Sequence, residues 1–190
     1  METSGTGLLK RTLSSVFPNS RTLGLIEMLV IFLLGVAAIA LHAKLRIPLH
    51  LPGRQGVLFL AIIFFTRLSS KMPYAASLSM LGAASSIWIF GMGFHDPFMP
   101  FYYLVIGIFI DLTFRVKENI NVAFWYSGFI AGLGWMMIPL FRLAIGAFTG
   151  LPFDSFRSGM IYPIATHLLF GVMGGLLGYS IFKISSGRRF

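Results

Sequence analysis

The 190-residue sequence contains no cysteine, which excludes disulfides, thiolate metal sites and cysteine nucleophiles together. It is also poor in charge, since only 11% of its residues are charged and only six are acidic, whereas 56% are hydrophobic. The mean hydropathy is +0.83, and a water-soluble domain of this length could not bury so much apolar surface, so the solvent must be lipid. We therefore expect one polytopic, all-α integral membrane domain.

The sequence also lacks the motifs of common catalytic and energy-coupling sites. It has no Walker sequence, no HExxH and no GxSxG, and its four histidines do not fall at metal-ligand spacing within one helix. No buried carboxylate pair and no inverted repeat is visible, so the chain shows no energy source of its own. We expect a protein that is not an enzyme; an enzyme acting on lipid is a weaker alternative without a carboxylate-rich or metal-like centre.

The apolar runs predict six transmembrane helices, at about 23–43, 56–68, 74–94, 98–114, 122–147 and 161–183. The second is short for a crossing, and Pro139 predicts a break or kink in the fifth. The first run could instead be a secretory signal, because Lys10 and Arg11 precede it and Ala38-Ile39-Ala40 imitates a cleavage site. Its apolar core is long for a signal, so we interpret it as a retained helix.

The basic residues predict the orientation of these spans. The net charge of +9 comes from short basic groups between apolar runs, which is a membrane topology signal rather than a nucleic-acid patch. With six spans, ten basic residues fall on the side of the termini and five on the other side, so both termini are predicted to be cytoplasmic. The predicted division is a cytoplasmic segment 1–22, a membrane domain 23–184 and a basic tail 185–190, in a multi-pass protein of the cell (inner) membrane.

The stretch RIPLHLPGRQG at 46–56 is then an outer loop that retains basic residues where topology disfavours them. Pro48 and Pro52 stiffen this loop, and Gly53 and Gly56 allow its backbone to fold closely over something, so we interpret it as a cap over a ligand pocket. The topology places further polar and aromatic groups on the same side. Arginine forks bind carboxylate or phosphate, and ligand pockets have mostly apolar walls, so these groups would suit a ligand with an anionic end and an apolar body. Aromatic side chains at a bilayer interface and arginines that meet lipid phosphates are the alternative interpretation.

Glu27, Asp111 and His167 are ionisable residues within the predicted spans. Such groups usually have a function or a partner. Glu27 lies one turn into the first span, and Asp111 lies four residues before Arg115, which favours an ion pair on one helical face. His167 could contact a ligand, bind a haem or pigment, or donate a hydrogen bond to a neighbouring helix.

Small residues are more numerous than six cohering helices require. The sixth span holds two GxxxG pairs and the first span is rich in alanine, and such seams let membrane helices approach closely. We predict that this surplus serves a second protein. The predicted partner interface comprises Gly35, Ala37, Ala38, Ala40, Gly171, Gly174, Gly175 and Gly178.

Taken together, these features resemble the substrate-binding S components of energy-coupling factor (ECF) vitamin transporters. The first loop is similar to that of biotin-type S components, with Leu45-Arg46-Ile47-Pro48-Leu49 followed by Pro52 and Gln55. The resemblance implies a ligand held near the outer face, and a shared membrane coupling subunit with ATPase subunits as partners. It covers about the first third of the chain; the AxxxA of the family's first helix is missing, and His50, Gly53 and Arg54 are inserted.

Our hypothesis is therefore a substrate-capture subunit for a small anionic, vitamin-like molecule, without a metal or cofactor. Ten residues are predicted to bind the ligand: Arg46, His50, Arg54 and Gln55 in the cap, His95, Asp96 and Arg142 at its polar end, and Trp135, Tyr162 and His167 along its body. The alternative is a structural, haem-, pigment- or quinone-associated subunit of a larger complex, in which His95 or His167 binds the cofactor.

Overall fold

The computed structural model describes residues 20–45, 51–92, 94, 96–116, 124–150, 153, 156 and 159–187. This part of the chain is helical and contains no strand. Its six helices are α1 (Ser20–Lys44), α2 (Gly56–Ser69), α3 (Ala75–Phe90), α4 (Met99–Val116), α5 (Phe124–Thr149) and α6 (Ile161–Ser185).

The helices coincide with the six predicted apolar runs, with ends displaced by a few residues. The largest displacement is in α3, which ends at Phe90, where Gly91 adopts a positive φ of 63°. Of the predicted break or kink at Pro139, the break does not occur, because α5 continues as helix on both sides of this proline. Proline is tolerated inside helices of this kind where neighbouring groups compensate the missing N–H.

Three of the described helices are long and apolar enough to cross a membrane: Arg21–Lys44 within α1, Phe124–Thr149 and Ile161–Ser185. Large apolar side chains on them remain exposed, among them Leu29, Trp125 and Ile161. Such exposure is costly in water and costs nothing in lipid, so these helices indicate a membrane-embedded protein.

Helix α6 packs between α5 and α2 by presenting glycines alternately to each. A Cβ on Gly171 would lie 2.8 Å from the Ala131 carbonyl oxygen of α5, and Gly175 faces the same helix. A Cβ on Gly174 would lie 2.9 Å from the Gly56 carbonyl oxygen of α2, and Gly178 also faces α2. The two interleaved GxxxG pairs thus hold α6 to two helices of its own chain.

The small residues of α1 are used in a similar way. Gly35 lies against the backbone of Ser79 in α3, and Ala38 is fully buried. Of the four small residues of α1 that were predicted to contact a partner, only Ala37 is exposed, and Ala40 is half-buried. The expected partner interface is therefore corrected for six residues, which are buried by helices of the same chain and are not available to a second protein: Gly35, Ala38, Gly171, Gly174, Gly175 and Gly178.

Replacing Gly35 by alanine should destabilise the bundle, because the added methyl would overlap the Ser79 carbonyl oxygen. Overpacking of this kind costs about 1–3 kcal/mol. The matched control is Gly24→Ala in the same helix, where a Cβ meets nothing within 4 Å. Thermal unfolding of the purified variants should show a lower Tm for Gly35→Ala only; equal Tm values would refute the α1–α3 contact.

Asp111 of α4 contacts both α2 and α3, and its ion-pair partner is not the predicted one. Its carboxylate lies 2.9 Å from Nε of Arg67 in α2, so the predicted pair with Arg115 is wrong. It also accepts hydrogen bonds from the Ala76 N–H at 3.1 Å and from the N–H and hydroxyl of Ser77 at 2.7 and 2.6 Å. Asp111 thus caps the first turn of α3 from a neighbouring helix, where a negative charge is favourable.

Candidate ligand-binding cavity

A cavity of about 330 Å³ lies at the end of the bundle where α1 ends and α2 begins. Its size is at the small end of the range for small-molecule sites, which is about 300–1,000 Å³. Its walls are apolar and aromatic with a few basic groups, a composition typical of binding pockets. They are formed by His42, Leu51, Pro52, Gly53, Arg54, Gln55, Phe94, Met99, Trp135, Ile138, Arg142 and His167.

Residues 51–55 line one side of this cavity, and we call residues 51–56 the cap. Gly53 has a φ of 77°, and its carbonyl oxygen accepts a hydrogen bond of 3.1 Å from Nε1 of Trp135. A Cβ at Gly53 would come within 2.8 Å of the His167 ring, and one at Gly56 would overlap the Trp135 indole. The cap therefore lies directly on Trp135 and His167, and glycine is required at both contacts.

Replacing Trp135 by phenylalanine should loosen the cap, because it removes the indole N–H that binds Gly53 while keeping an aromatic ring. The loss of one neutral hydrogen bond costs about 1 kcal/mol, which corresponds to a roughly fivefold larger equilibrium constant for local opening of the cap. Hydrogen exchange of peptides covering 51–57 measures this opening. Trp88→Phe is the control, since Trp88 is exposed and contacts Phe101 instead; identical exchange in both variants would contradict the contact.

Two arginines line the cavity, and among the described residues only one of them has a counter-ion. Nε of Arg142 lies 2.8 Å from Oδ2 of Asp96, so the positive charge of Arg142 has a counter-ion within the protein. Arg54 has no such counter-ion among the described residues: its Nη1 donates to the Leu51 carbonyl oxygen at 3.3 Å, and its Nε is buried without a hydrogen-bond partner. Arg54 is half-buried, and a partly desolvated cation without a counter-ion is stabilised by an anion, so the site favours an anion beside Arg54.

Two histidines, His42 and His167, lie beside Trp135, each with its ring centroid 6.1 Å from the indole. Nδ1 of His167 lies 2.7 Å from the Pro163 carbonyl oxygen, an acceptor, so the proton is on Nδ1. Nδ1 of His42 is buried and has no hydrogen-bond partner within the described part of the chain. Among the described residues, the cavity wall thus offers a ring nitrogen without a hydrogen-bond partner in addition to the Nε of Arg54.

The structure brings together half of the ten predicted ligand residues. Arg54, Gln55, Trp135, Arg142 and His167 line the cavity, and Asp96 lies behind them, bound to Arg142. Arg46, His50 and His95 fall outside the described residues. Tyr162 does not line the cavity, because it lies at the start of α6 with 40% of its surface exposed.

Sequence reasoning missed part of the cavity wall. His42 lies in the last turn of α1, and Phe94 lies in the turn before α4; they contact each other with centroids 5.3 Å apart. His42 also packs edge-on against Phe59 of α2. Its position at the end of the helix that precedes the cap was the available signal, because the end of a helix lies next to the loop that follows it.

The described residues contain no group of three or more histidine, cysteine or acidic side chains that could hold a metal ion. Within the part of the chain that the structure describes, the geometry offers a small, mostly apolar cavity and one cation, Arg54, without a counter-ion. Comparisons with protein-family models, curated proteins and solved structures found no match to this chain.

Proposed function

We propose that this protein is the membrane-embedded substrate-capture subunit of an ECF-type uptake transporter for a small anionic, vitamin-like molecule. The observation that carries the proposal is the cavity beneath the cap, with Arg54 in its wall and no counter-ion for it among the described residues. A ligand carboxylate or phosphate would accept hydrogen bonds from this guanidinium, and such charge-assisted bonds supply both affinity and specificity. The apolar walls would contact the body of the ligand.

The proposed topology has six crossings with both termini in the cytoplasm, in the cell membrane. It is supported by the distribution of basic residues, ten on one side against five on the other. In this orientation the cap lies on the outer face, where a nutrient arrives. The basic residue at position 54 is then retained on the disfavoured side because it binds the ligand.

In this account the chain does not itself drive transport and has no enzymatic activity. Its partners would be a membrane coupling subunit and ATPase subunits. Because the glycines of α6 are used within the chain, the docking surface would involve the exposed face of α1, which includes Leu29, Leu33 and Ala37.

A second function, that of a cofactor-binding subunit, is favoured by the contact of His167 with Pro163. Histidines that bind metal commonly donate their other ring N–H to a carbonyl in this way. The cavity volume of about 330 Å³ argues against a haem or chlorophyll macrocycle and in favour of a compact ligand.

Affinity purification from the protein's own membranes, followed by visible spectroscopy and identification of co-purifying chains, tests the proposal. The expected result is an ATPase-containing assembly with no visible absorption. Haem or chlorophyll absorption, together with redox or photosynthetic subunits, would contradict the uptake function and support the cofactor alternative.

A further inference from the structure

A second recess lies at the other end of α1, away from the cavity. It is a groove of about 470 Å³ between α1 and the last turns of α2. Its walls are mostly apolar, and its polar groups are Glu27, Thr66, Ser69 and Ser70. The apolar walls are Leu23, Ile26, Val30, Ile31, Leu34 and Phe65.

The length of the groove matches half of a bilayer. It follows α1 from Leu23 to Leu34, a stretch that rises about 16 Å at about 1.5 Å per residue. The hydrocarbon core of a bilayer is about 30 Å thick, so one leaflet accounts for about half of that distance. Because Glu27 lies four residues inside this stretch, an acyl chain that starts at its carboxylate would have apolar contacts along the seven residues to Leu34, which rise about 10 Å of the leaflet.

Two polar groups of the groove, Glu27 and Ser70, contact each other where α2 ends. Oε1 of Glu27 accepts a hydrogen bond of 2.6 Å from the Ser70 hydroxyl, and the Glu27 side chain is exposed. A carboxylate has further acceptor positions on both oxygens, so it can bind an additional donor. The next residue after Ser70 is Lys71, which is exposed and basic.

From this arrangement we infer that the groove binds a phospholipid with an ethanolamine headgroup. The ammonium donates to Glu27, and one acyl chain fills the groove. Lys71, the residue after Ser70, supplies a positive charge for the phosphate. Choline carries the same charge without an N–H donor, and a glycerol headgroup carries no positive charge, so the carboxylate discriminates against both. This inference does not depend on the uptake proposal, because the groove and the cavity share no lining residue.

The test uses the full chain reconstituted with equal amounts of phosphatidylethanolamine, phosphatidylcholine and phosphatidylglycerol that carry identical acyl chains. After mild detergent extraction, native mass spectrometry counts the lipids that remain bound. We expect phosphatidylethanolamine to be retained about fivefold over phosphatidylcholine, the effect of one hydrogen bond to Glu27 that choline cannot donate. The variant Glu27→Gln should remove this preference and still fold, since it alters one exposed side chain.

A pair of tryptophan substitutions separates the headgroup site from the groove. Val30→Trp fills the groove and should reduce retention of all three lipids, whereas Leu33→Trp alters an exposed residue of α1 outside the groove and should not. Equal retention of the three lipids by the wild type, or an unchanged preference in Glu27→Gln, would overturn the inference. A polypeptide retained in place of lipid would overturn it as well.

Discussion

Arg54→Ala should lower the affinity for the captured molecule by about 10- to 100-fold, the effect expected for one or two charge-assisted hydrogen bonds of about 1.5–3 kcal/mol. The guanidinium lines the cavity, and its Nε is buried without a hydrogen-bond partner among the described residues. Arg142 cannot replace it because Asp96 already neutralises that residue. The measurement is the fraction of purified protein that retains a co-purifying small molecule, determined by native mass spectrometry.

The control for this variant is Lys44→Ala. Lys44 is the last residue of α1 at the same end of the bundle, is exposed and does not line the cavity, so its removal should leave occupancy unchanged. Arg54→Ala should also keep its thermal stability, because the only hydrogen bond of this side chain to a described residue is the long one to Leu51. Equal occupancy in wild type and Arg54→Ala would remove the cap arginine from the binding site.

Asp111→Ala should lower the free energy of unfolding by about 3–5 kcal/mol, more than any of the other substitutions proposed above. It leaves Arg67 as a buried charge without its ion-pair partner, and it removes the acceptor for two backbone N–H groups at the start of α3. The two side chains are only 12% and 9% exposed, so solvent does little to compensate. Thermal unfolding in detergent should show a large decrease in Tm.

The double variant Arg67→Met with Asp111→Leu distinguishes the ion pair from general packing. Buried ion pairs are often replaceable by apolar residues of similar volume at little cost. The double variant should therefore recover much of the stability that Asp111→Ala loses, although the hydrogen bonds to α3 remain missing. If the double variant is less stable than Asp111→Ala, the unpaired Arg67 charge is not the cause of the loss.

The positions of the helices were predictable, because long apolar runs separated by prolines, glycines and charged residues show where each helix begins and ends. Their contacts were not, because a GxxxG pair indicates a close approach without naming its partner. Gly171 and Gly174 lie three residues apart and face different helices, α5 and α2. The small residues of α6 that were expected to serve a second protein instead pack this helix between two others.

The position of the cavity was predictable from the sequence, but the residues that line it were only partly predictable. Prolines and glycines in 46–56 indicated a loop that folds back on the bundle, and residues 51–55 do line the cavity. Which charges remain free was not predictable, because Asp96 and Arg142 are 46 residues apart and form a pair only in the folded chain. The ion pair of Asp111 was not predictable for the same reason, because its partner Arg67 lies on another helix.

The most direct test of ligand capture is an experimental structure of the wild-type chain isolated in its own lipids. We expect density for a small, compact molecule in the cavity, with an acidic group within hydrogen-bonding distance of the Arg54 guanidinium and the cap closed over it. A cavity that holds only water, or a macrocycle bound to His167, would contradict the account.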